Sequence, residues 1–158
     1  MNAATELLAV AGPAGAIDVA LDRPQGAPRG LALITPPHPL YGGTRDNKVV
    51  QTLARALLAL GFVCWRPNFR GVDGSEGTHD EGIGETDDVL AVLQAARAHP
   101  SLEGRSGLPL VLAGFSFGSF VQTRVAARLA ERGEPAPRLV LVGPAASRFA
   151  LERVPQDT

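Results

Sequence analysis

The sequence predicts an α/β protein: a three-layer α/β/α sandwich around a mostly parallel sheet, with an antiparallel hairpin at its amino terminus. Short apolar runs at residues 31–35, 62–66, 110–113 and 139–142 have the length and unbroken hydrophobicity of strands covered on both faces. Between them lie segments with apolar residues at helical spacing, and strands alternating with helices at this interval imply right-handed crossovers in a parallel sheet. One strand-to-helix junction, Gly114-Phe115-Ser116-Phe117-Gly118, holds a serine between two glycines.

Taken in order, residues 5–11 and 15–21 flank Gly12-Pro13-Ala14 and read as the hairpin. A Pro- and Gly-rich loop over 22–30 leads to the strand at 31–35, which Pro36-Pro37 ends because proline cannot continue a ladder. The following loop, His38-Pro39-Leu40-Tyr41-Gly42-Gly43, is stiffened by proline and closed by a glycine pair. Val49, Val50, Leu53, Ala54, Leu57 and Leu58 then mark one face of a helix, with Asp46 or Asn47 as N-cap and Gly61 as its stop. Pro67 ends the strand at 62–66, and residues 68–84 form a glycine-rich loop carrying Arg70, Asp73, Ser75 and His79. Ser75 has no strand-turn-helix context and reads as a turn residue.

Glu85, Asp87 and Asp88 are expected in the first turn of the next helix, where the macrodipole favours carboxylates. Val89, Val92, Leu93 and Ala96 form its buried stripe, and His99-Pro100 ends it. The strand before the serine junction is expected to begin near Leu108. After the junction, Phe117, Phe120, Val121, Val125 and Leu129 recur at helical spacing. A loop at 133–137 precedes the last apolar strand, and 143–158 shows no element beyond a short helix near 148–153.

No repeat or low-complexity linker divides the chain, so residues 1–158 read as one domain. A net charge of −1 gives no electrostatic footprint for nucleic acid or an anionic membrane. Cys64, the single cysteine, falls inside a strand and reads as a small buried hydrophobe. No basic segment precedes an apolar one at the amino terminus, and no apolar run is long enough to cross a bilayer. The expectation is a cytoplasmic protein without metal or organic cofactor.

The serine junction has the context of a nucleophile elbow: strand, sharp turn, helix. Such a turn crowds its neighbours, which accounts for glycine at −2 and +2. It lifts the Ser116 hydroxyl above the sheet and points the next amide, that of Phe117, to where an oxyanion would form. Ligands of parallel sheets bind at the carboxyl ends of the strands. The 36–43 loop and Ser116 both follow strands directly, so they converge on one edge.

With these stretches in place, the chain resembles the α/β-hydrolase superfamily, and more narrowly the small lid-less bacterial serine hydrolases related to dienelactone hydrolase. The resemblance rests on His38-Pro39-Leu40-Tyr41-Gly42-Gly43 with Asp46-Asn47-Lys48, on Asn68-Phe69-Arg70-Gly71 running to Ser75 and Gly77, on residues 82–88, and on the elbow. It departs at Pro36, where such loops often carry a further histidine. It implies Ser116 as nucleophile, the Phe117 amide as one oxyanion donor, and the Leu40 amide, with Tyr41 behind it, as the second. His38 and Phe115 would line the site. Substrates would be small carboxylic esters, thioesters or lactones.

In this superfamily the acid and then the histidine follow the nucleophile in chain order. The resemblance therefore implies a hydrolase fold lacking its last strands, since no histidine follows His99. Of the histidines present, His38 belongs to a loop that in this superfamily supplies backbone donors, His79 lies in a long loop that can approach the site but is expected to face solvent, and His99 lies at the opposite sheet edge. Glu152, nine positions beyond Gly143, is a weak substitute acid. Arg70 with Asp88 or Glu85 reads as a buried or half-buried ion pair fixing the 68–84 loop. The chain alone is accordingly expected to be nearly inactive. Two other readings stand beside this one: a non-catalytic fragment or binding module, and a chain that needs a partner, pairing as a homodimer through an exposed apolar edge strand at 139–142.

Overall fold

The computed structural model describes residues 5–154. The single-domain reading of 1–158 therefore extends, at residues 1–4 and 155–158, outside the described residues. Six strands form one sheet: β1 (Glu6–Gly12), β2 (Gly15–Asp22), β3 (Gly30–Thr35), β4 (Phe62–Pro67), β5 (Leu110–Phe115) and β6 (Arg138–Val142), in the order β1-β2-β4-β3-β5-β6. The β1–β2 hairpin is antiparallel and joins β4 in antiparallel register, with Val19 opposite Pro67 and Asp22 opposite Cys64. From β4 onward the sheet is parallel through β3, β5 and β6. The antiparallel hairpin on a mostly parallel sheet matches the sequence expectation.

Three helices sandwich the sheet: α1 (Lys48–Ala59), α2 (Ile83–Ala98) and α3 (Phe117–Glu131). On one face Val50, Ala54 and Leu57 of α1 close over Ala32, Ile34, Cys64, Val111 and Ala113. On the other, the stripe Val89, Val92, Leu93 and Ala96 of α2 and Val121, Val125 and Leu129 of α3 cover Leu33, Val63, Trp65 and Leu112. All six residues of β3 are buried, as a central strand covered on both faces must be. Asn47 caps α1, its side-chain oxygen accepting the Val49 N–H at 2.9 Å. The Cys64 thiol is pushed up to about 12 by burial, with Asp22 adding to the rise, which makes it inert packing.

Three local expectations are corrected. The elbow strand begins at Leu110, not Leu108, because Pro109 has no N–H for the ladder. Helix α2 begins at Ile83, which moves Asp87 and Asp88 into its second turn. Glu85 does sit in the first turn, but as a cap: its carboxylate accepts the N–H groups of Asp80 and Gly82. Near residues 148–153 there is no helix, only a turn in which the Ala145 carbonyl accepts from Arg148 and Phe149. The chain leaves that turn because Phe149 locks onto Phe120 in a stacked pair at 5.1 Å and the Glu152 N–H bonds Thr123 Oγ1.

The sheet runs from β3 to β4 on one side and then back past β3 to β5 on the other. This is a topological switch point, and the loops after β3 and β5 diverge from it to leave a crevice.

Candidate active site

Ser116 stands between β5 and α3 with φ 54° and ψ −117°, left-handed backbone that a non-glycine residue adopts only under constraint. The constraint is visible on both sides. A Cβ on Gly114 would lie 2.5 Å from the Gly118 carbonyl carbon, and one on Gly118 would lie 2.5 Å from the carbonyl oxygens of both Thr35 and Pro36. Glycine at −2 and +2 therefore lets the turn close on itself and press against the end of β3. The Ser116 N–H donates to the Val142 carbonyl at 2.9 Å, tying the elbow to the end of β6. Phe117 opens α3, so its amide is among those a helix leaves without an internal acceptor.

A cleft of about 370 Å³ opens above the elbow. Pro37, His38 and Tyr41 line it from the loop after β3, Ser116 from the elbow, and Ala145, Arg148 and Phe149 from the segment after β6. Phe115 is not among the lining residues; its ring lies beside Gly143. Below the cleft the Phe117 ring is the hub of an aromatic cluster, 4.7 Å from His38, 5.4 Å from Phe69, 5.4 Å from His79 and 5.4 Å from Phe149.

The loop after β3 forms one turn of 3₁₀ helix over Pro39–Tyr41, with His38 as its cap. His38 Nδ1 accepts the Leu40 N–H at 3.2 Å, and the His38 carbonyl accepts the Tyr41 N–H at 3.1 Å. Both side chains are exposed. In this arrangement Nδ1 carries the lone pair, so the proton of the neutral ring resides on Nε2. Burial, and then the neighbouring His79, push the His38 imidazole below its ordinary 6.5, against the raising pull of Glu81 and Glu85.

His79 does not face solvent. Its side chain is 9% exposed, with Nδ1 3.8 Å from the fully buried Glu85 carboxylate and its ring 4.9 Å from that of His38. The reason is the loop itself: Arg70 grips Asp88 through two 2.8 Å bonds and donates to the Gly84 carbonyl, pulling the 68–84 segment back over the sheet edge. The ion pair inferred from sequence is thus present, with Asp88 as the partner. Its hydrogen bond from Arg70 raises the guanidinium further above its usual value. Ser75 is the turn residue expected, donating to the Asn68 carbonyl and accepting the Asp18 N–H. His99 caps a turn at the opposite edge, its Nδ1 accepting from Ser101. Glu152 lies 3.9 Å from Arg124 on the surface of α3, outside the cleft.

Among the described residues no imidazole hydrogen-bonds the Ser116 hydroxyl, and no cluster of three or more His, Cys, Asp or Glu side chains could hold a metal ion. Sequence reasoning missed Pro37, Ala145, Arg148 and Phe149. The available signal was positional: residues directly after β6 emerge at the same edge as the elbow.

A strained serine at a strand-to-helix elbow, at the switch point of a sheet with helices on both faces, defines a serine-hydrolase type of site. Residues 38–157 match the profile described as the alpha/beta hydrolase family, and the chain belongs to that family. It is similar to XC6422 of Xanthomonas campestris, described as an α/β serine hydrolase without lid, with 38% identity and a TM-score of 0.81 over 94% of this chain and 65% of that one. An α/β serine hydrolase homologue from Coxiella burnetii shows 43% identity and a TM-score of 0.69, covering 77% of this chain and 56% of its own. An uncharacterised protein of Rickettsia prowazekii is 35% identical over 121 residues, which are 76% of this chain and 49% of that protein. The chain thus spans about half the length of this curated relative and somewhat more of the solved structures.

Proposed function

We propose that the protein is a serine hydrolase of small carboxylic esters, thioesters or lactones, in which Ser116 attacks the carbonyl carbon. The backbone of Ser116, held at φ 54° and ψ −117° within an open cleft, is the observation that carries this reading. The Phe117 amide is one oxyanion donor. The Leu40 amide is the second, reaching the oxyanion by exchanging its bond from His38 Nδ1, and each such donor contributes about 3–4 kcal/mol to a tetrahedral transition state. The open cleft favours small, accessible substrates, and no metal or organic cofactor is required.

Activation of Ser116 needs a base. Since no described imidazole bonds its hydroxyl, we place that base outside the described residues. The 158-residue chain alone should then turn over slowly, because loss of the base costs roughly 10⁶ in kcat. A fluorophosphonate probe tests this directly. Weak labelling confined to Ser116 and abolished by Ser116→Ala is expected. Strong labelling that Ser116→Ala abolishes would show a base within these residues, and absence of any labelling under forcing conditions favours a binding module built on the same cleft.

Two further parts of the reading concern setting. Strand β6 is an edge among the described strands, with Val140 36% exposed, and we propose that it pairs with a second copy. Sedimentation that stays monomeric over a wide concentration range counts against pairing. No described helix is long and apolar enough to cross a membrane, and we propose the cytoplasm as the setting.

A further inference from the structure

The hairpin at the far edge of the sheet leaves one row of main-chain groups unused. Gly12 and Gly15 flank a two-residue turn, so they exchange hydrogen bonds, as do Val10 with Ile17, Leu8 with Val19 and Glu6 with Leu21. The intervening residues of β2 turn the other way. Ala16 donates to the Glu76 carboxylate and accepts the Glu76 N–H, while Asp18 donates to Ser75 Oγ and accepts the Asn68 N–H. Their neighbours in β1, Ala11 and Ala9, and then Leu7, therefore direct N–H and C=O away from the hairpin. Strand β1 ends the sheet, and among the described residues these six groups find no partner. Exposed edges are ordinarily blunted by proline, lysine, a bulge or brevity. Strand β1 has seven residues, no proline or lysine, and an unbroken register with β2.

We infer that β1 pairs antiparallel with β1 of a second copy about a two-fold axis through Ala9, joining two six-stranded sheets into one. Within the strand only this register engages all six groups: Ala9 faces Ala9, and Leu7 of each copy faces Ala11 of the other. Charge favours a second copy over a charged peptide. Glu6 is the one charged residue of β1, it already pairs with Arg23 at 3.1 Å, and the axis sets it opposite the uncharged Gly12. The side chains agree. Leu7, 59% exposed, meets Ala11 of the second copy, and Leu8 meets its Val10, extending the apolar layer beneath α2 across the axis. A ladder about 24 Å long falls short of the roughly 1,200 Å² that a stable interface buries, so the dimer is reversible and forms at high concentration. The cleft at Ser116, beyond β2 and β4, stays open in both copies, and the inference does not rest on the hydrolase reading.

A nitroxide on Glu6→Cys of the 158-residue chain, read by pulsed dipolar electron paramagnetic resonance, tests this. Residue 6 is exposed, and Cys64 escapes the label because it is buried, with its thiol pushed up to about 12. Residue 6 lies three positions from the axis in each copy, so β1 pairing sets the labels about 20 Å apart. Pairing through β6 would instead put five strand spacings in each copy and one between them, roughly 50 Å in all. The 20 Å distance should appear and grow as the chain is concentrated. Ala9→Pro should remove it while the fold, followed by circular dichroism, persists, because the Ala9 N–H makes no β1–β2 bond. Ala9→Lys keeps every main-chain group but sets two ammonium groups opposite one another, and it should remove the distance too. A monomer at millimolar concentration, a distance near 50 Å alone, or a 20 Å distance that survives either Ala9 variant overturns the inference.

Discussion

Replacing Gly118 with alanine sets two effects of opposite sign against each other. Gly118 is the second residue of α3, and helix propensity alone favours alanine over glycine by about 1 kcal/mol. Sterics point the other way. The new methyl would sit 2.5 Å from the Thr35 and Pro36 carbonyl oxygens and 2.8 Å from the Thr35 carbonyl carbon, all of them backbone atoms that cannot rotate aside. Separating α3 from the end of β3 also strains the 3.0 Å hydrogen bond from Thr35 Oγ1 to the Gly118 carbonyl. Overpacking of this kind costs about 1–3 kcal/mol and the strained bond about 1 kcal/mol, so the net loss should be about 1–3 kcal/mol. For a chain of this size that lowers Tm by roughly 2–10 °C. Thermal melts followed by circular dichroism measure it. A Gly118→Ala variant as stable as the parent, or more so, would mean that the elbow is not pressed against β3 and that propensity governs the position.

Ser116→Gly should be more stable than Ser116→Ala by about 1 kcal/mol in urea denaturation, because only glycine adopts positive φ without strain; the reverse order would mean that the elbow backbone is relaxed. Arg70→Met should cost about 3–5 kcal/mol by leaving the nearly buried Asp88 carboxylate unpaired, and adding Asp88→Leu should recover part of that loss. A double variant less stable than the single one refutes this account of the pair. The depressed imidazole of His38 has a definite sign: the unfolded chain binds the proton more readily, so His38 contributes stability above 6.5 that is lost as pH falls through its lower folded-state value. The stability difference between the parent and His38→Gln should therefore shrink on acidification, and a pH-independent difference would exclude His38 as the titrating group.

The fold was legible because its signals are local and repeated. Four apolar runs, each closed by proline or glycine, report central strands, and the stripes of α1, α2 and α3 report which helix faces meet the sheet. The elbow was legible for the same reason, since Gly114, Ser116 and Gly118 act on one another across two residues. The cap on the Leu40 amide could have been read as well: His38 followed by Pro39 has the pattern of a side-chain cap with proline at the first helical position. The burial of His79 had no such signal. The Arg70–Asp88 pair was legible, but it does not say which way His79 turns; that depends on Glu85 gathering the Asp80 and Gly82 amides, which leaves no periodic trace. The walls from Ala145, Arg148 and Phe149 were hidden because an irregular segment is placed by what its side chains find, here Phe117 and Phe120.

Apolar periodicity also obscured how the strained serine is held. Three buried polar side chains of the chain do that work, and none belongs to an apolar stripe. Thr35 donates to the Gly118 carbonyl, Ser119 shares its one hydroxyl proton between the Gly114 carbonyl at 2.8 Å and the Val142 carbonyl at 3.1 Å, and Gln122 donates to the Leu33 and Ala113 carbonyls at 3.1 Å and 3.0 Å. Each bond joins α3 to a strand end, and together they bind β3, β5, β6 and the elbow into one unit. Strain of about 1–3 kcal/mol at Ser116 persists only where its surroundings over-determine it, and these buried bonds, each contributing about 1 kcal/mol, match that scale. Val142 accepts from both Ser116 and Ser119, so the end of the edge strand is part of the nucleophile's support. A strand pairing with β6 would therefore bear on the geometry of Ser116 as well as on the association of the chain.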